Sequence, residues 1–428
     1  MLCHPLKQAF RRLPSWIGYG RMSEEPSNEV HGYVHELPAV EGVTKRRRPA
    51  FGRRNYWCRT FGASVELYNR RGDLLPKLRV VAADVEIGVD NKTLVLDGIV
   101  LVVHDVAMIS DWRYWLVSAR EHSLSKYYTL QREIGQGKSC KVFLASTISS
   151  NDLLAVRVLD LNGRKAKETA ILLRREVHFL RFVRSPFVVR AYDFFVDKDS
   201  AQIVAELMDY GSIGSVMEKE VVQSLTERQV AWIMFQVLSG LRDLHGMGVI
   251  HRDVSLHSVM MQYNPGNPDT PIVKLADLGL ACSSANTHAE DFVVGALVNI
   301  APEVFRKQKC GKEVDLWASG LLCYHLLVGH HPLRKMDRAD IAFELGTRGR
   351  ILYREQEWTG VSRAARDFTE ALLEFEPAKR TNTEAALVHS FLAEAAQRFN
   401  HMTRVPAIRP KGRNLQAGSL FGQGSRHC

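Results

Sequence analysis

The sequence has no run of 18 or more consecutive apolar residues, and no low-complexity tract interrupts it. The first absence argues against a membrane-spanning helix, and the second argues against a fibrous or repetitive protein. Hydrophobic residues make up 46% and charged residues 24% of the 428 residues, which is typical of a soluble globular protein. The length predicts two or three domains.

Paired cysteines are also lacking. The seven cysteines are scattered and odd in number, and no two of them form a C-x-x-C pair. This excludes a disulfide scaffold and a structural zinc site of the usual spacing. The pattern predicts a reduced intracellular protein, with the cytoplasm as the expected compartment.

The middle of the chain has little net charge. Residues 1–60 hold eleven Lys or Arg and five Glu, and the segment after Glu394 holds six Lys or Arg and no acid. These two ends account for the whole net charge of +10 and leave the body slightly negative. A basic end of this kind favours an anionic lipid surface. Nucleic acid is a poor candidate because no aromatic residues interleave with the basic residues 45–48.

Three explanations of the basic N-terminal segment stay open. The first 23 residues lack acids and could form a mitochondrial presequence. Residues 45–48 could form a nuclear import signal or bind phosphate. Alternatively, residues 1–60 are a flexible, solvated arm, which is the assignment we adopt.

Residues 61–125 contain short runs typical of β-strands, at residues 64–68, 79–89, 93–103 and 113–117. A turn at Asp90 and Asn91 is expected to join two of these runs as a hairpin. The segment therefore predicts a small antiparallel β domain. It resembles a pleckstrin-homology (PH) domain, and the alternative is a β-rich extension that only packs against its neighbour.

An ordered series of motifs begins near residue 127. A glycine-rich turn with Gly135 and Gly137 lies between two strand-like runs, and the apolar strand that follows carries one cation, Arg157. Glu176 lies 19 residues beyond Arg157 on a segment with helical periodicity. A strand cation and a helix carboxylate of this kind can form an ion pair.

The series continues through the second half of the chain. A capping-box sequence at residues 226–229 predicts a helix, and this helix leads to the tripeptide His251-Arg252-Asp253. The further members are, in order, Asp277-Leu278-Gly279, Ala301-Pro302-Glu303, Asp315 and Arg380.

In order and spacing, this set resembles the eukaryotic protein kinase domain of the serine/threonine type over residues 127–395, with a basic flexible tail at residues 396–428. The resemblance implies an α+β, bilobal fold. One lobe would have a five-stranded sheet and a helix, the other would be mainly helical, and a nucleotide cleft would lie between them. The small antiparallel β domain would precede this fold.

The resemblance also implies roles for individual residues. Backbone N–H groups around Gly135 and Gly137 would cover the phosphates of ATP, and Arg157, held by Glu176, would grip them. Asp253 would accept the proton of the substrate hydroxyl.

The remaining implied roles concern the metal and the adenine ring. Asp277 would hold Mg²⁺ between the phosphates. Glu206 and Met208 would offer backbone groups to adenine, and Val142 and Ala155 would line the ring. Glu303 and Arg380 would form an ion pair, and Asp315 would brace the His251–Asp253 loop.

Five positions depart from the pattern of active kinases. Arg157 replaces a lysine, and a planar guanidinium does not occupy the place of a compact ammonium. Ser258 replaces the asparagine of the catalytic loop, so it would be a weaker catalytic and metal-binding group. Ser255 replaces a lysine, Cys140 replaces a glycine, and Ala296 replaces a threonine.

Three functions stay open from the sequence. The first is an ATP-binding protein of kinase fold that transfers phosphate weakly or not at all and acts on protein partners as a scaffold or regulator. The second is an active, divergent serine/threonine kinase of protein substrates, with Ser283, Ser284 and Thr287 as phosphorylation candidates. The third is a lipid-binding protein in which the β domain does the work.

Overall fold

A computed structural model of the chain describes seven strands between residues 31 and 103, and residues 123–404 apart from short gaps. The gaps are residues 138–139, 163–165, 181, 198, 221–224, 265–269, 286–294, 335, 349–350 and 352–354. The predictions for residues 1–23, 45–48, 90–91 and 113–117, for Thr287 and for residues 405–428 therefore lie outside the described residues. No helix in the described part is long and apolar enough to cross a membrane.

The seven N-terminal strands form one antiparallel sheet in the order β4-β3-β2-β1-β7-β6-β5. The strands are β1 (His31–Glu36), β2 (Asn55–Phe61), β3 (Ser64–Tyr68), β4 (Leu78–Val81), β5 (Val85–Ile87), β6 (Thr93–Leu96) and β7 (Ile99–Val103). The predicted hairpin is confirmed, because β5 pairs with β6 on either side of Asp90 and Asn91. The resemblance to a PH domain stays a prediction.

The sheet differs from the sequence prediction in two respects. Strands β1 and β2 lie within residues 1–60, which we had assigned to a flexible arm. The polar strand β1 pairs with a neighbour on each side, and ladder hydrogen bonds of this kind outweigh its weak local propensity. The run at residues 93–103 is two strands, β6 and β7, because the Asp97-Gly98 dipeptide between them is typical of two-residue hairpin connections.

Beyond the N-terminal sheet, the contacts divide the chain into two compact units. The first comprises Met1–Arg174 and Ala191–Leu207, and the second comprises Arg175–Arg190 and Met208–Cys428.

The first unit holds a five-stranded antiparallel sheet in the order β11-β12-β10-β9-β8. Its elements are α1 (Leu124–Tyr127), β8 (Tyr128–Gln136), β9 (Cys140–Thr147), β10 (Leu153–Asp160), the first part of α2 (Ala166–Leu180), β11 (Ala191–Val196) and β12 (Ser200–Glu206). One face of the sheet is its apolar core, formed by Ala145, Leu154, Val156, Phe195 and Val204. The predicted strands on both sides of the glycine-rich turn are thereby confirmed.

The second unit is mainly helical. Its strands are β13 (Gly211–Ser212), β14 (Val249–Ile250), β15 (Val259–Gln262), β16 (Ile272–Leu275) and β17 (Cys282–Ser283). Its helices are α3 (Ile213–Glu220), α4 (Glu227–Gly246), α5 (Pro302–Phe305), α6 (Glu313–Val328), α7 (Arg338–Phe343), α8 (Arg363–Leu372), α9 (Thr383–Leu387) and α10 (Ala393–Arg404). Single turns complete it at Leu278–Leu280, Leu297–Asn299, Glu344–Arg348, Glu355–Trp358 and Ser390–Leu392.

Two long helices, α4 and α6, contribute most to the core of the second unit. The predicted capping box begins α4, since the Thr226 side chain accepts the Gln229 N–H and the Gln229 side chain accepts the Thr226 N–H. The predicted apolar stripe of α4 is buried throughout, at Val230, Ile233, Met234, Val237, Leu238, Leu241 and Leu244. Helix α6 is apolar on all sides and buried along most of its length, as expected of a central helix.

The segment after residue 395 differs from the predicted flexible tail. Helix α10 continues to Arg404, and the Phe399 ring lies 5.2 Å from Phe187, 5.5 Å from Phe235 and 6.1 Å from Trp232, between ring centroids. Aromatic contacts at these distances stabilise the helix against α4. The helical unit therefore includes the first part of the predicted tail.

We expect Phe399→Ala to lower the free energy of unfolding of the helical unit by about 1–3 kcal/mol, less than for a fully buried phenylalanine. Urea unfolding followed by tryptophan fluorescence would measure the change. Val388→Ala is the control, because Val388 is 84% exposed and should change stability by less than about 0.5 kcal/mol. Equal stability of the Phe399→Ala variant and the wild type would show that α10 does not stabilise the unit.

Candidate active site

The loop that carries Asp253 is held by a buried carboxylate. Asp315, in the first turn of α6, accepts the backbone N–H of His251 at 2.9 Å and that of Arg252 at 2.8 Å. Its Oδ2 also lies 2.8 Å from Nε2 of His245. Burial alone would raise the pKa of Asp315, but the hydrogen bonds and charges of His245 and His251 lower it below the usual value. The predicted brace between Asp315 and this loop is confirmed.

His251 connects the loop to the end of β16. Its fully buried ring accepts the Asp253 N–H at Nδ1, at 3.3 Å. The proton therefore resides on Nε2, which donates to the carbonyl of Ala276 at 3.1 Å. Because Ala276 directly precedes Asp277, one side chain fixes the backbone of both predicted catalytic segments.

Ser258 is used inside the loop. Its hydroxyl donates to the backbone carbonyl of Asp253 at 2.6 Å and accepts the N–H of Ser255 at 2.9 Å. The side chain is buried, with 3% exposure. Its one hydrogen and one of its two lone pairs are thus engaged. Ser258 braces the backbone of the catalytic loop, so little of it is left for the metal role that we predicted.

Asp253 is partly buried, and this burial raises the pKa of its carboxyl to about 6. The charge of Asp277 raises it further, whereas His251 and His257 lower it. A pKa near 6 suits a general base that works close to neutral pH. Gly295 approaches this carboxylate from the segment ahead of Ala296, because a Cβ on Gly295 would lie 2.9 Å from Asp253 Oδ1.

Asp277 adopts a backbone conformation that non-glycine residues rarely use, with φ of 65°. Such strain is frequent at functional sites. The side chain is exposed, and its Oδ1 accepts the N–H of Gly279 at 3.2 Å. A carboxylate in this setting fits Mg²⁺, which takes one or two protein carboxylates and completes its shell with phosphate and water. The described residues include no group of three or more His, Cys, Asp or Glu that could hold a metal ion without such help.

The predicted pair of Glu303 and Arg380 is confirmed as a bidentate ion pair. Arg380 donates to the two oxygens of Glu303 at 2.7 and 2.9 Å, and both side chains are fully buried. Arg380 also donates to the carbonyl of Glu313 at 2.8 Å. The pair therefore joins the Ala301-Pro302-Glu303 segment to the start of α6.

The predicted nucleotide residues of the first unit lie on one face of its sheet. Val142 pairs with Gly135 on β8 and with Arg157 on β10, and directly paired residues point to the same side. Ala155 stands two positions before Arg157 and shares this face, and it pairs with Ala205 on β12. The opposite face is the apolar core. The sheet thus brings together the four predicted residues Gly135, Val142, Ala155 and Arg157.

The glycine-rich turn connects β8 to β9 at one end of this face. Gly137 donates its N–H to the carbonyl of Cys140 at 2.8 Å. A Cβ on Gly137 would lie 2.9 Å from the sulfur of Cys140, so this turn requires glycine there. A Cβ on Gly135 would find Val142 at 3.8 Å, which is an ordinary contact.

The other predicted residues lie on neighbouring elements. Glu176 is buried on the part of α2 that belongs to the second unit, and its pairing with Arg157 stays a prediction. Glu206 ends β12 in the first unit. Met208 is buried in the second unit, where its carbonyl accepts the Gly211 N–H at 2.9 Å.

Sequence reasoning missed Gly295 and His245. The signal for Gly295 was its position directly before Ala296, and the signal for His245 was its place in the last turn of the helix that leads to His251. The bonding of the Ser258 hydroxyl had no sequence signal, because its partners are backbone atoms.

Comparisons with known proteins agree with this arrangement. Residues 128–392 match the family model described as "Protein kinase domain". Serine/threonine-protein kinase PLK4 of Drosophila virilis is 28% identical over 270 residues, which cover 63% of this chain and 33% of that protein. Calcium-dependent protein kinase 8 of Arabidopsis thaliana is 30% identical over 284 residues, or 65% of this chain and 51% of the relative.

A third relative has the same extent of similarity. Calcium/calmodulin-dependent protein kinase cmkA of Emericella nidulans is 31% identical over 257 residues, or 58% of this chain and 61% of the relative. The match to the three relatives thus spans between 33% and 61% of their length.

We expect Asp253→Asn to raise the melting temperature at about pH 7.5. Since the folded state raises the pKa of Asp253 from its ordinary value to about 6, the wild type loses stability as pH rises through this interval, and the variant does not. The difference should vanish near pH 4. Asp367→Asn, which removes a charge from the exposed surface of α8, is the control. A lower melting temperature of Asp253→Asn at pH 7.5 would contradict the assignment.

We expect Ser258→Ala to destabilise the second unit by about 1–3 kcal/mol, because it leaves the Ser255 N–H and the Asp253 carbonyl without their partner. Thermal unfolding would measure the loss, and hydrogen exchange should become faster at the Ser255 amide. Ser284→Ala, on the exposed side of β17, should change stability by less than about 0.5 kcal/mol. If the two variants unfold alike, the Ser258 hydroxyl does not brace the loop.

Proposed function

This chain belongs to the protein kinase domain family, and from this premise we propose that it binds ATP with a single Mg²⁺ and transfers phosphate to protein hydroxyls slowly or not at all. It would then act mainly through its surfaces, as a scaffold or regulator of a protein partner. The observation that carries the proposal is the use of the Ser258 hydroxyl inside its own loop. This leaves Asp277 as the principal protein ligand for a metal.

The residues of the second unit support a reaction in which the protein contributes position and charge. Asp315 and His251 hold the loop so that the Asp253 carboxylate can accept the proton of a substrate hydroxyl. With the pKa of Asp253 at about 6, the carboxylate is mostly deprotonated at neutral pH. Mg²⁺ at Asp277 would neutralise charge on the phosphates when it is bound.

The face of the first unit supports nucleotide binding. Val142 and Ala155 offer small apolar surfaces suited to adenine, and Arg157 supplies the positive charge for phosphates. Arginine in place of lysine keeps the charge but changes its shape, so grip on the phosphates is retained with poorer geometry.

Magnitudes favour slow turnover. Loss of one preorganised electrostatic group costs about 10²–10³ in rate, and kinases work at about 1–100 s⁻¹. Two such changes, at Arg157 and Ser258, would leave at most about 10⁻² s⁻¹ even without full additivity.

The second candidate is an active, divergent serine/threonine kinase. It is favoured by the intact bracing of the catalytic loop and by the raised pKa of Asp253, since an abandoned site need retain neither. The exposed Ser283 and Ser284 would be its phosphorylation candidates.

The two candidates differ in measurable turnover. We expect ATP to raise the melting temperature of the full chain, more with Mg²⁺ than without, and phosphate transfer from radiolabelled ATP to a generic protein to stay below about 10⁻² s⁻¹. The double variant Arg157→Lys, Ser258→Asn should raise this rate by about 10²-fold or more. Ser284→Asn is the matched control and should leave it unchanged.

Each outcome decides between the candidates. Transfer above about 1 s⁻¹ that disappears in Asp253→Ala would support the active kinase. Absence of any thermal shift with ATP, with and without Mg²⁺, would contradict nucleotide binding and with it both candidates.

A further inference from the structure

The loop of Asp253 carries an exposed histidine, His257, four residues after the aspartate. The His257 ring lies against Gly214, near the start of α3. A Cβ on Gly214 would lie 2.8 Å from both Cε1 and Nδ1 of the ring. The glycine thus lets the imidazole pack close to the backbone of α3. The ring is therefore held beside the catalytic loop, and its remaining surface faces solvent.

Further cationic or titratable groups follow the end of α6. They are His325 in the last turn of the helix, and His330, His331 and Arg334 in the segment after it. The rings of His325 and His331 meet edge to face, with centroids 6.2 Å apart. We call His257, His325, His330, His331 and Arg334 together the histidine surface.

The nearby carboxylate, Glu357, is already engaged. Its Oε2 accepts the hydroxyl of Tyr324 at 2.7 Å, and its Oε1 lies 3.6 Å from Nε2 of His330. The His330 ring in turn lies 5.9 Å from the Tyr324 ring. Glu357 therefore compensates His330 and leaves His257 and Arg334 uncompensated by it.

Electrostatic interactions connect the members of the surface. Burial lowers the pKa of His325 to about 4, and the charges of His330, Arg334 and His257 lower it further. His257 also acts on Asp253, so the same imidazole belongs to the surroundings of the catalytic carboxylate and of the α6 terminus. Groups that mutually oppose each other's protonation create a site that resists added positive charge and attracts an anion.

The members divide by exposure. His325 and His331 are half-buried, and burial lowers the pKa of each to about 4, so they are neutral at pH 7 and act by packing and as neutral hydrogen-bonding groups. His257 and Arg334 are exposed and can contact a ligand. A metal does not explain the cluster, because the described residues contain no group of three or more ligands that could hold one.

We propose that the histidine surface selects acidic protein substrates, with Asp or Glu a few residues from the acceptor hydroxyl. The proposal rests on the proposed function, because it places the acceptor at Asp253. An extended peptide advances about 3.3–3.6 Å per residue, and His257 is separated from Asp253 by at most about 14 Å of chain. Side chains two to four residues from the acceptor can therefore reach His257 and Arg334, which attract carboxylates and repel lysine or arginine.

The test uses peptide binding and needs no turnover. Two fluorescent peptides share one serine acceptor and differ only in flanking residues, which are Glu in one and Lys in the other. Fluorescence anisotropy with the full chain should give about fivefold or tighter binding for the Glu peptide at low salt. This preference should shrink at about 0.5 M salt, where exposed charges are screened. A third peptide, with phosphoserine in place of Glu, separates a general preference for anions from one for carboxylates.

Charge-reversing variants identify the residues responsible. His257→Glu and Arg334→Glu should each reduce the preference about two- to fivefold, and the double variant should reverse it. Both residues are exposed, so folding should be retained. His401→Glu, on the exposed side of α10, makes the same change elsewhere and should leave the preference unaltered.

Equal binding of the Glu and Lys peptides, or a preference that persists in the double variant, would overturn the proposal. Tighter binding of only the phosphoserine peptide would replace carboxylates by phosphorylated segments as the substrate class and would likewise overturn it. The thermal shift with ATP, measured on the same variants, separates the two proposals. If the shift is retained and the preference is absent, the substrate class is wrong and nucleotide binding stands.

Discussion

The buried carboxylate of Asp315 is the constraint on which the candidate active site depends. Two consecutive backbone N–H groups, of His251 and Arg252, point at its oxygens, and His245 contacts it from the preceding helix. Arg252 has a φ of 66°, a conformation that costs free energy and needs such compensation. Without an acceptor inside the helical core, these N–H groups would be buried and unpaired. One side chain in the first turn of α6 therefore allows the loop to keep its shape.

A chain of hydrogen bonds passes this constraint to the reacting groups. His251 fixes the backbone of Asp253 and of Ala276, and Ser258 closes the same loop from its other end. Networks of this kind rigidify a site only when every member is satisfied. The cost of this solution is chemical. A serine hydroxyl that closes the loop has little capacity left for a metal, so loop geometry and metal binding are separated in this protein.

The motif order and spacing predicted much of the architecture. The strands around the glycine-rich turn, helix α4 with its capping box, the Asp315 brace and the pair of Glu303 and Arg380 all appear where the sequence placed them. These features rest on local propensity or on charged residues that must find partners when buried. Weaker local signals were misread. Strand β1 and the continuation of α10 depend on partners that are distant in sequence, namely β7 for the strand and Phe187, Phe235 and Trp232 for the helix.

The sequence by itself determined which chemical groups are available: a carboxylate base at Asp253, a second carboxylate at Asp277, and arginine and serine at two positions where kinases use lysine and asparagine. Tertiary structure alone decided how these groups are used. Burial raises the pKa of Asp253, backbone atoms occupy the hydroxyl of Ser258, and Gly214 holds the ring of His257 beside α3. The physical reason is that burial and hydrogen-bond partners are properties of the packed chain, and residue identity does not specify them.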